Sequence, residues 1–521
     1  MVWRIVKKEL LVNLLSLRFA LGLVITTALM GLVGYVLMED YVQRRQRYLE
    51  NVQRHEEQLK NFKVYSVIQV HADIPPSPLS IFSRPLRELS SSARVSPYRL
   101  PSLVDGEAGA YGIGLEGQRP ATSNPLLRVF STIDLTFVIY SFLSLLAVLL
   151  VFDSFSGEKE LGTLPLIMAC PVGRLQVLAG KFLGALISVA VPLALGFLAV
   201  LLMWSLSPSI ALDREVWDGV GAIFLVSLLF LAGFIALGLF LSLCAEESSQ
   251  ALVVLLMAWV AIAVAIPQGG SYLAQYARPQ VSRARFAEEM ERALKEFYQD
   301  YEKIEYEQKG GWWHNNTSDL EGQQLLATTE EEMHNLVRAH RERAPLRFRY
   351  AEERYRAAEA YERELRQWGK LREALVSLSL SELYQNVVRA LAATDTESYD
   401  RVLAQTRRYR GELVDYLRPK AGTPQWFTRL PEYPDLFSSE ENVAYWRKLQ
   451  EEGGWGLVQE KVLNWERIAP LDLSDMPRLR VEYPGVGERL ERVMGKVLLM
   501  VGFAALFLGL AARQVLRYAM R

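Results

Sequence analysis

Charge is distributed along this chain in blocks, and that constrains its fold more than any other feature. Stretches of about twenty residues carry almost no Asp, Glu, Lys or Arg, whereas residues 278–372 carry a charge at roughly every second or third position. A helix of about 20 apolar residues crosses the roughly 30 Å hydrocarbon core of a bilayer. Blocks of this kind therefore mean that lipid and water act as solvents on different parts of one chain. The overall hydrophobic fraction of 50% would suit a soluble protein and hides this segregation.

Six apolar runs reach or approach spanning length: 17–38, 129–153, 182–206, 217–244, 251–267 and 494–512. The last two are short and call on flanking residues such as Tyr272 and Arg492 at the interface. The first is too long for a signal peptide, and Val33 to Val36 offers no small-x-small cleavage site, so it reads as an uncleaved anchor. Residues 1–16 are amphipathic and suit a helix lying along the membrane surface. Pro192 should kink the third span or face a neighbour, because a helix in lipid must satisfy its own backbone.

Lys and Arg set the expected orientation. Arg4, Lys7 and Lys8 near the N-terminus, Lys159, Arg174 and Lys181 in the loop at 154–181, and Arg513, Arg517 and Arg521 in the tail at 513–521 all fall on one side of a six-span chain. That side is expected to be the cytoplasm. The loop at 245–250 lies there too and dissents weakly, with Glu246 and Glu247 and no base. Cys170 and Cys244 both fall on that side and read as free thiols. A net charge of −1, without a basic tail, gives no footprint for nucleic acid.

Two regions face outward, 39–128 and 268–493. Residues 39–63 are helical in composition, so the first span is expected to continue out of the membrane. Val64 to Val70 reads as a strand, and Pro75-Pro76-Ser77-Pro78 as a turn. In the larger region, Phe286, Met290, Ala293, Phe297, Tyr301 and Ile304 form one apolar seam. A second seam follows through Tyr355, Ala358, Tyr361, Leu365, Trp368, Leu371 and Leu375, with Pro345 interrupting its approach. An antiparallel helical hairpin results, broken at Gly310 to Asn316. Trp312 and Trp313 at its tip either grip a partner protein or cap the hairpin's own core. Residues 377–484 are mixed, with short helices expected. The expected fold is mainly α: a polytopic membrane protein with six transmembrane helices and a large, mostly helical extracytoplasmic domain.

The most informative stretch joins spans two and three. It reads Asp153-Ser154-Phe155-Ser156-Gly157-Glu158-Lys159-Glu160-Leu161-Gly162-Thr163-Leu164, followed by Pro171-Val172-Gly173-Arg174 and Gly180-Lys181. It resembles the signature of type-2 ABC exporter permeases: a Glu-x-Glu-x-Gly-Thr segment, a Pro-x-x-Arg turn and a Gly-Lys start to the next span. Asn124 to Leu127, Ile133-Asp134-Leu135, Pro76 to Ser80 and Ser381 to Asn386 resemble a bacterial branch with a large periplasmic domain. That branch is similar to gliding-motility and copper-enzyme-maturation permeases. The resemblance implies a coupling helix containing Glu158, Lys159, Glu160, Gly162 and Thr163, with Arg174 and Lys181 beside it and Glu246 and Glu247 as a second contact. It implies two copies of a separate ATPase subunit, a second permease copy or a paralogue, and the bacterial inner membrane. In such a segment Glu158 and Glu160 would pair with basic residues across the contact. Gly162 would supply the left-handed residue that ends the helix, and Thr163 with Pro165 would start the next.

The chain has no phosphate-binding loop; Gly173 to Lys181 has the wrong spacing and runs into Phe182. ATP and magnesium would sit on the partner, and this chain is expected to hold no cofactor or metal and to catalyse nothing. His55, His71, His314, His334 and His340 read as surface residues of the outward regions, without a His-Glu-x-x-His pair. In span two, Asp134, Thr136, Tyr140, Ser141 and Ser144 form a polar half that lines either a path or a helix interface. Three functions follow: a permease that exports a solute or extracts lipid or peptide, a device that moves an extracytoplasmic partner, and a membrane-anchored scaffold. Charge reversal at Glu158 and Glu160 would uncouple the first two and leave the third untouched.

Overall fold

The computed structural model describes residues 2–62, 68, 70–84, 92–95, 133–169, 171–207, 212–276, 281–304, 313–316, 324–327, 330–420, 448, 451–454 and 470–517. Six of its helices are long and apolar enough to cross a membrane. The fold is mainly α and polytopic.

A short helix α1 (Val2–Leu14) is followed at Ser16 by α2 (Leu17–Lys60), whose first turn is capped by the Ser16 hydroxyl accepting from the Phe19 amide. α2 is unbroken for 44 residues. At 1.5 Å per residue it reaches ~66 Å, about twice a bilayer's core, so its charged half stands clear of the lipid. Span two is α3, in which the α-helical turns Leu135–Val138 and Ser144–Val151 flank a π-bulge at Ile139–Leu143. Two short helices follow, α4 (Ser156–Glu160) and α5 (Leu164–Ala169). Spans three and four are α6 (Arg174–Leu206) and α7 (Arg214–Cys244). Pro192 is buried inside α6, facing neighbours. Span five, α8, runs Ser248–Val260, through a π-turn at Ala261–Ala265, into Ile266–Tyr276. The two spans that looked short in hydropathy are long helices, because polar residues extend them beyond their apolar windows.

The hairpin is α9 (Val281–Glu302) against α10 (Glu330–Val376). Its register is antiparallel: Phe286 meets Tyr361 at 5.1 Å between ring centroids, Phe297 meets Tyr350 at 5.0 Å, and Asp300 pairs with Arg349. α10 runs straight through Pro345 instead of starting after it. A proline removes one backbone donor and one helical hydrogen bond, and 47 residues of helix absorb that loss. Beyond the two helices the chain forms a strand pair, β3 (Trp313–Asn316) with β4 (Gln324–Ala327), Trp313 opposite Ala327. The sequence reading had only a break there. Trp312 lies outside the described residues.

Near the upper end of α2, β1 (Val70–Asp73) pairs with β2 (Ser92–Val95), Val70 opposite Val95. The strand starts where the reading of 64–70 had it end; residues 63–67 and 69 lie outside the described set. Ile68, Val70, Val95 and Leu59 share a core with Tyr409, Leu413 and Met476. After α10 come α11 (Leu380–Leu391) and α12 (Thr396–Lys420), and span six is α13 (Val486–Arg517). α12 is longer than the short helices expected for this region. α11 packs between spans four and six. Leu380 closes on Gly233, where an added methyl group would come within 2.7 Å of Leu380 Cδ2. The Tyr384 ring stacks on Phe230 at 4.5 Å, and its hydroxyl lies 2.9 Å from Ser227 Oγ.

A cluster at the short-loop end of the spans

The loop joining spans two and three folds into α4 and α5, and the residues between them form a Schellman turn. Gly162 has φ +67°, a region that costs a side-chain-bearing residue about 1 kcal/mol or more. Its amide donates to Lys159 O at 3.0 Å, and the Thr163 amide donates to Glu158 O at 2.9 Å. Both bonds satisfy carbonyls that the end of α4 would otherwise leave open. Thr163 O then accepts from Ile167 N at 3.1 Å, opening α5 with Pro165 in its first turn.

The charged residues of α4 turn towards their own chain. Lys181, 3% exposed, donates to Glu158 Oε1 at 2.8 Å, to Glu9 Oε1 at 3.0 Å and to Ser154 O at 2.9 Å. An ammonium has three donors, and here α1, α4 and the end of span two take all of them. Lys8 adds a second contact to Glu158 Oε1, at 3.1 Å. Burial draws the Lys8 ammonium's pKa down, but the Glu9 and Glu158 carboxylates outweigh it and hold the pKa above its usual value. Lys159 donates to Leu243 O and, at 2.9 Å, to Ala245 O, at the carbonyl end of span four. Glu160 accepts from Ser248 N at 3.2 Å and Ser248 Oγ at 2.8 Å, at the amide end of span five. Two adjacent residues of α4 thus answer opposite helix ends, a cation on carbonyls and a carboxylate on amides. Ser242 Oγ completes the joint, accepting from the amides of Phe155 and Ser156 at 3.0 and 3.1 Å.

Of the two carboxylates expected to face a partner, Glu158 is enclosed by Lys181 and Lys8, whereas Glu160 stays exposed beside Ser248. Glu158 is enclosed because Lys181, about two helical turns inside span three, is buried and draws both Glu158 and Glu9 onto its ammonium. The turn bearing Glu246 and Glu247 lies beside α4, and both residues are exposed. Arg174 reaches across to Leu516 O at 2.9 Å, tying the start of span three to the end of span six. Two large apolar side chains are left exposed at the cluster, Leu161 at 77% and Leu166 at 70%, on either side of the Gly162 turn.

α1 does more than lie on a surface. Gly180, Gly184 and Ser188 repeat every fourth residue along α6 and form a groove for it. A methyl group at Gly180 would come within 2.7 Å of Ile5 Cγ2, and one at Gly184 within 2.7 Å of Glu9 Cβ. Asn13 Nδ2 donates to Ser188 Oγ at 3.2 Å. Small residues let backbones approach in this way, and that spacing was the sequence signal for Glu9, which the sequence reading left out of the site.

The polar half of span two meets protein. Asp134 caps α3, accepting from the Phe137 amide at 2.7 Å and from Ser83 Oγ and Arg84 N at 3.3 Å. Thr136 Oγ1 donates to Phe82 O at 2.9 Å. Ser144 bonds back to Tyr140 O and accepts from Trp259 Nε1 of span five at 2.8 Å. Tyr140 and Ser141 are half-buried at the π-bulge. His55 is no surface residue: its ring stacks on His71 at 4.0 Å and Nδ1 lies 2.9 Å from Asp73 Oδ2. Among the described residues, no three His, Cys, Asp or Glu side chains gather as a metal cluster. Cys244 is exposed with a free thiol; Cys170 lies outside the described residues.

The family model described as ABC-2 family transporter protein matches residues 3–338, more than half of the chain and every element of this cluster except Leu516. The chain belongs to the ABC-2 transporter family. Two relatives are named probable ABC transporter permease protein NosY. The one from Pseudomonas aeruginosa is 36% identical over 143 residues, covering 27% of this chain and 50% of that protein. The one from Stutzerimonas stutzeri is 34% identical over 149 residues, covering 28% and 52%. This ABC-2 chain therefore matches about half the length of these curated relatives. In this family the ABC permease is a transmembrane subunit and not itself the catalyst.

Proposed function

We propose that this chain is the transmembrane permease subunit of an ABC-type exporter, seated in the bacterial inner membrane with both termini cytoplasmic. It couples ATP hydrolysis by two copies of a separate ATPase subunit to export, or to extraction of lipid or peptide. A second permease copy or a paralogue completes the membrane core. One observation carries this reading. α4 is bonded at once to the ends of spans four and five, to Lys8 of α1 and to Lys181 of span three, yet the turn after it leaves Leu161, with Leu166 of α5, exposed at the short-loop end. Leu161 and Leu166, rimmed by Glu160, Glu246 and Glu247, match an apolar socket bordered by basic residues. Such an anchor-and-rim arrangement concentrates binding energy in the apolar centre. Because α4 is bonded to spans four and five and to α1, a push on the tip moves helices and does not bend a loop.

The test is a Leu161→Asp, Leu166→Asp double substitution in the native complex. The chain should still insert, and the ATPase subunit should no longer copurify with it. Retention of the ATPase subunit by this variant would sink the reading.

A second reading, movement of an extracytoplasmic partner without transport, is favoured by how span six meets the hairpin side. Arg489, Arg492 and Lys496 lie on one stripe of α13. Arg489 donates to Glu215 and to Leu391 O, Arg492 to Asp395 at 3.0 Å, and Lys496 pairs with Glu373 at the root of the hairpin. Span six is thereby bonded to α10 at one end and, through Arg174, to span three at the other. Reconstituted complexes separate the two readings. Transport is supported by ATP-dependent movement of a candidate cargo across the vesicle, and the mechanical reading by an ATP-dependent change in a hairpin distance without such movement.

A further inference from the structure

Two of the six spans are broken, and both are broken in the same way. α2, α6, α7 and α13 run as continuous α-helices, whereas α3 and α8 each contain one wide turn. In α3 the Ser144 amide donates to Ile139 O, five residues back, and in α8 the Ile266 amide donates to Ala261 O, also five back. An α-helix would give each amide to the carbonyl four residues back, so Tyr140 O and Ile262 O are released. A released carbonyl at membrane depth needs a donor from the protein. Both find a serine hydroxyl: Ser144 Oγ donates to Tyr140 O, and Ser379 Oγ to Ile262 O at 2.6 Å. In α8 the cause is local. Pro267 has no amide to give, and its ring crowds the carbonyl four residues earlier, that of Ala263.

The two wide turns lie side by side. Trp259 Nε1, just before the turn of α8, donates to Ser144 Oγ at 2.8 Å, and Ser144 in turn donates to Tyr140 O. On the short-loop side of the turns, both spans are held at the α4 joint. Glu160 accepts from Ser248 at the start of α8, and Arg18 holds Asp153 at the end of α3 at 2.7 Å. On the other side, both spans are held by the outward regions. Asp134 and Thr136 of α3 bond Ser83 and Phe82. Ala274 O of α8 accepts from Trp368 Nε1 at 2.5 Å, and Ser271 Oγ accepts from Arg372 Nε at 3.1 Å, both donors on α10. A methyl group at Gly270 would come within 2.8 Å of Val376 Cγ1. Each span is therefore fastened at both ends and irregular between them.

We propose that the wide turns of α3 and α8 form one hinge, tied by Trp259 and Ser144, at which the outward halves of spans two and five tilt together against their short-loop halves. A turn of this kind holds one residue more than the helix needs, and sharp bends concentrate at such turns and at prolines. An amide can move between the carbonyls five and four residues back while a serine hydroxyl, free to rotate, takes the one left over. The bend thus shifts without stranding a backbone group in lipid. Spans one, three, four and six, being unbroken, form the frame. With α4 as the ATPase contact, the hinge turns displacement of α4 into tilt of α10. That direction of drive rests on the ATPase reading, whereas the hinge itself does not.

The test needs no nucleotide and no partner, so its failure is separate from failure of the ATPase reading. In a Cys170→Ser, Cys244→Ser background, nitroxide pairs are placed at exposed sites. One pair, Val253→Cys with Leu273→Cys, straddles the wide turn of α8; the other, Leu183→Cys with Leu202→Cys, lies along unbroken α6. Each pair is separated by ~30 Å of helix. The full chain is reconstituted in phospholipid vesicles, diluted with unlabelled chain so that only distances within one copy are read, and measured by pulsed dipolar EPR. The α8 pair should give a distance distribution about twice as wide as the α6 pair. Pro267→Ala, which restores an amide donor, should narrow the α8 distribution about twofold and leave the α6 pair unchanged. Trp259→Phe, which cuts the tie to Ser144, should widen it. Equal widths for the two pairs overturn the inference, as does an α8 width that Pro267→Ala leaves unaltered. An unaltered width in Trp259→Phe overturns the pairing of the two turns.

Discussion

The two ends of the molecule are built on opposite principles. At the short-loop end, α4, its flanks and α1 are held by a buried lysine, two helix-end contacts and a shared serine. At the far end, α9 and α10 form a rod whose charges mostly pair within one helix, such as Arg356 with Glu352 and Arg285 with Glu289, in water. The first end concentrates its bonds so that no residue moves alone. The second relies on a thin apolar seam and tolerates local change. A part that receives force needs the former; a part that reaches needs only length and stiffness.

Substitutions sharpen the contrast. Lys181→Met should have the largest effect. It leaves Glu158 and Glu9 with only the more exposed Lys8 as a cation, a loss of up to about 3–5 kcal/mol, seen as a lower melting temperature in detergent and loss of the ATPase subunit. Phe286→Ala on the rod should cost about 3 kcal/mol, because its ring is buried in a small cluster with Tyr361, Ala358 and Leu403. Proteolysis should then open the hairpin while the spans stay intact. Gly162→Ala should cost about 1 kcal/mol through its left-handed backbone and weaken assembly without unfolding the chain. Arg356→Ala should lie within about 0.5 kcal/mol of wild type, since exposed pairs contribute little. If Lys181→Met and Arg356→Ala gave equal melting shifts, the contrast between the two ends would fail.

Spans, hairpin and the Gly162 turn were legible in the sequence, because each rests on a local pattern: charge-free length, apolar residues at helical steps, a glycine after an acidic turn. The partners of Glu158 were not. Lys8 and Lys181 are separated from it by 150 and 23 residues, and no periodicity reports such distances. The same limit explains Leu371 and Leu375. Their spacing matched a hairpin seam, and only the folded chain shows that both are left exposed.

Hydropathy and spacing, read along the chain, determined that this is a six-span helical protein with a tall helical projection, since those properties depend on neighbours within a few turns. The tertiary structure alone decided which charges are buried together and which leucines are left uncovered. Those outcomes depend on helices far apart in sequence meeting side by side, where one buried ammonium or one missing side chain fixes what its neighbours can do.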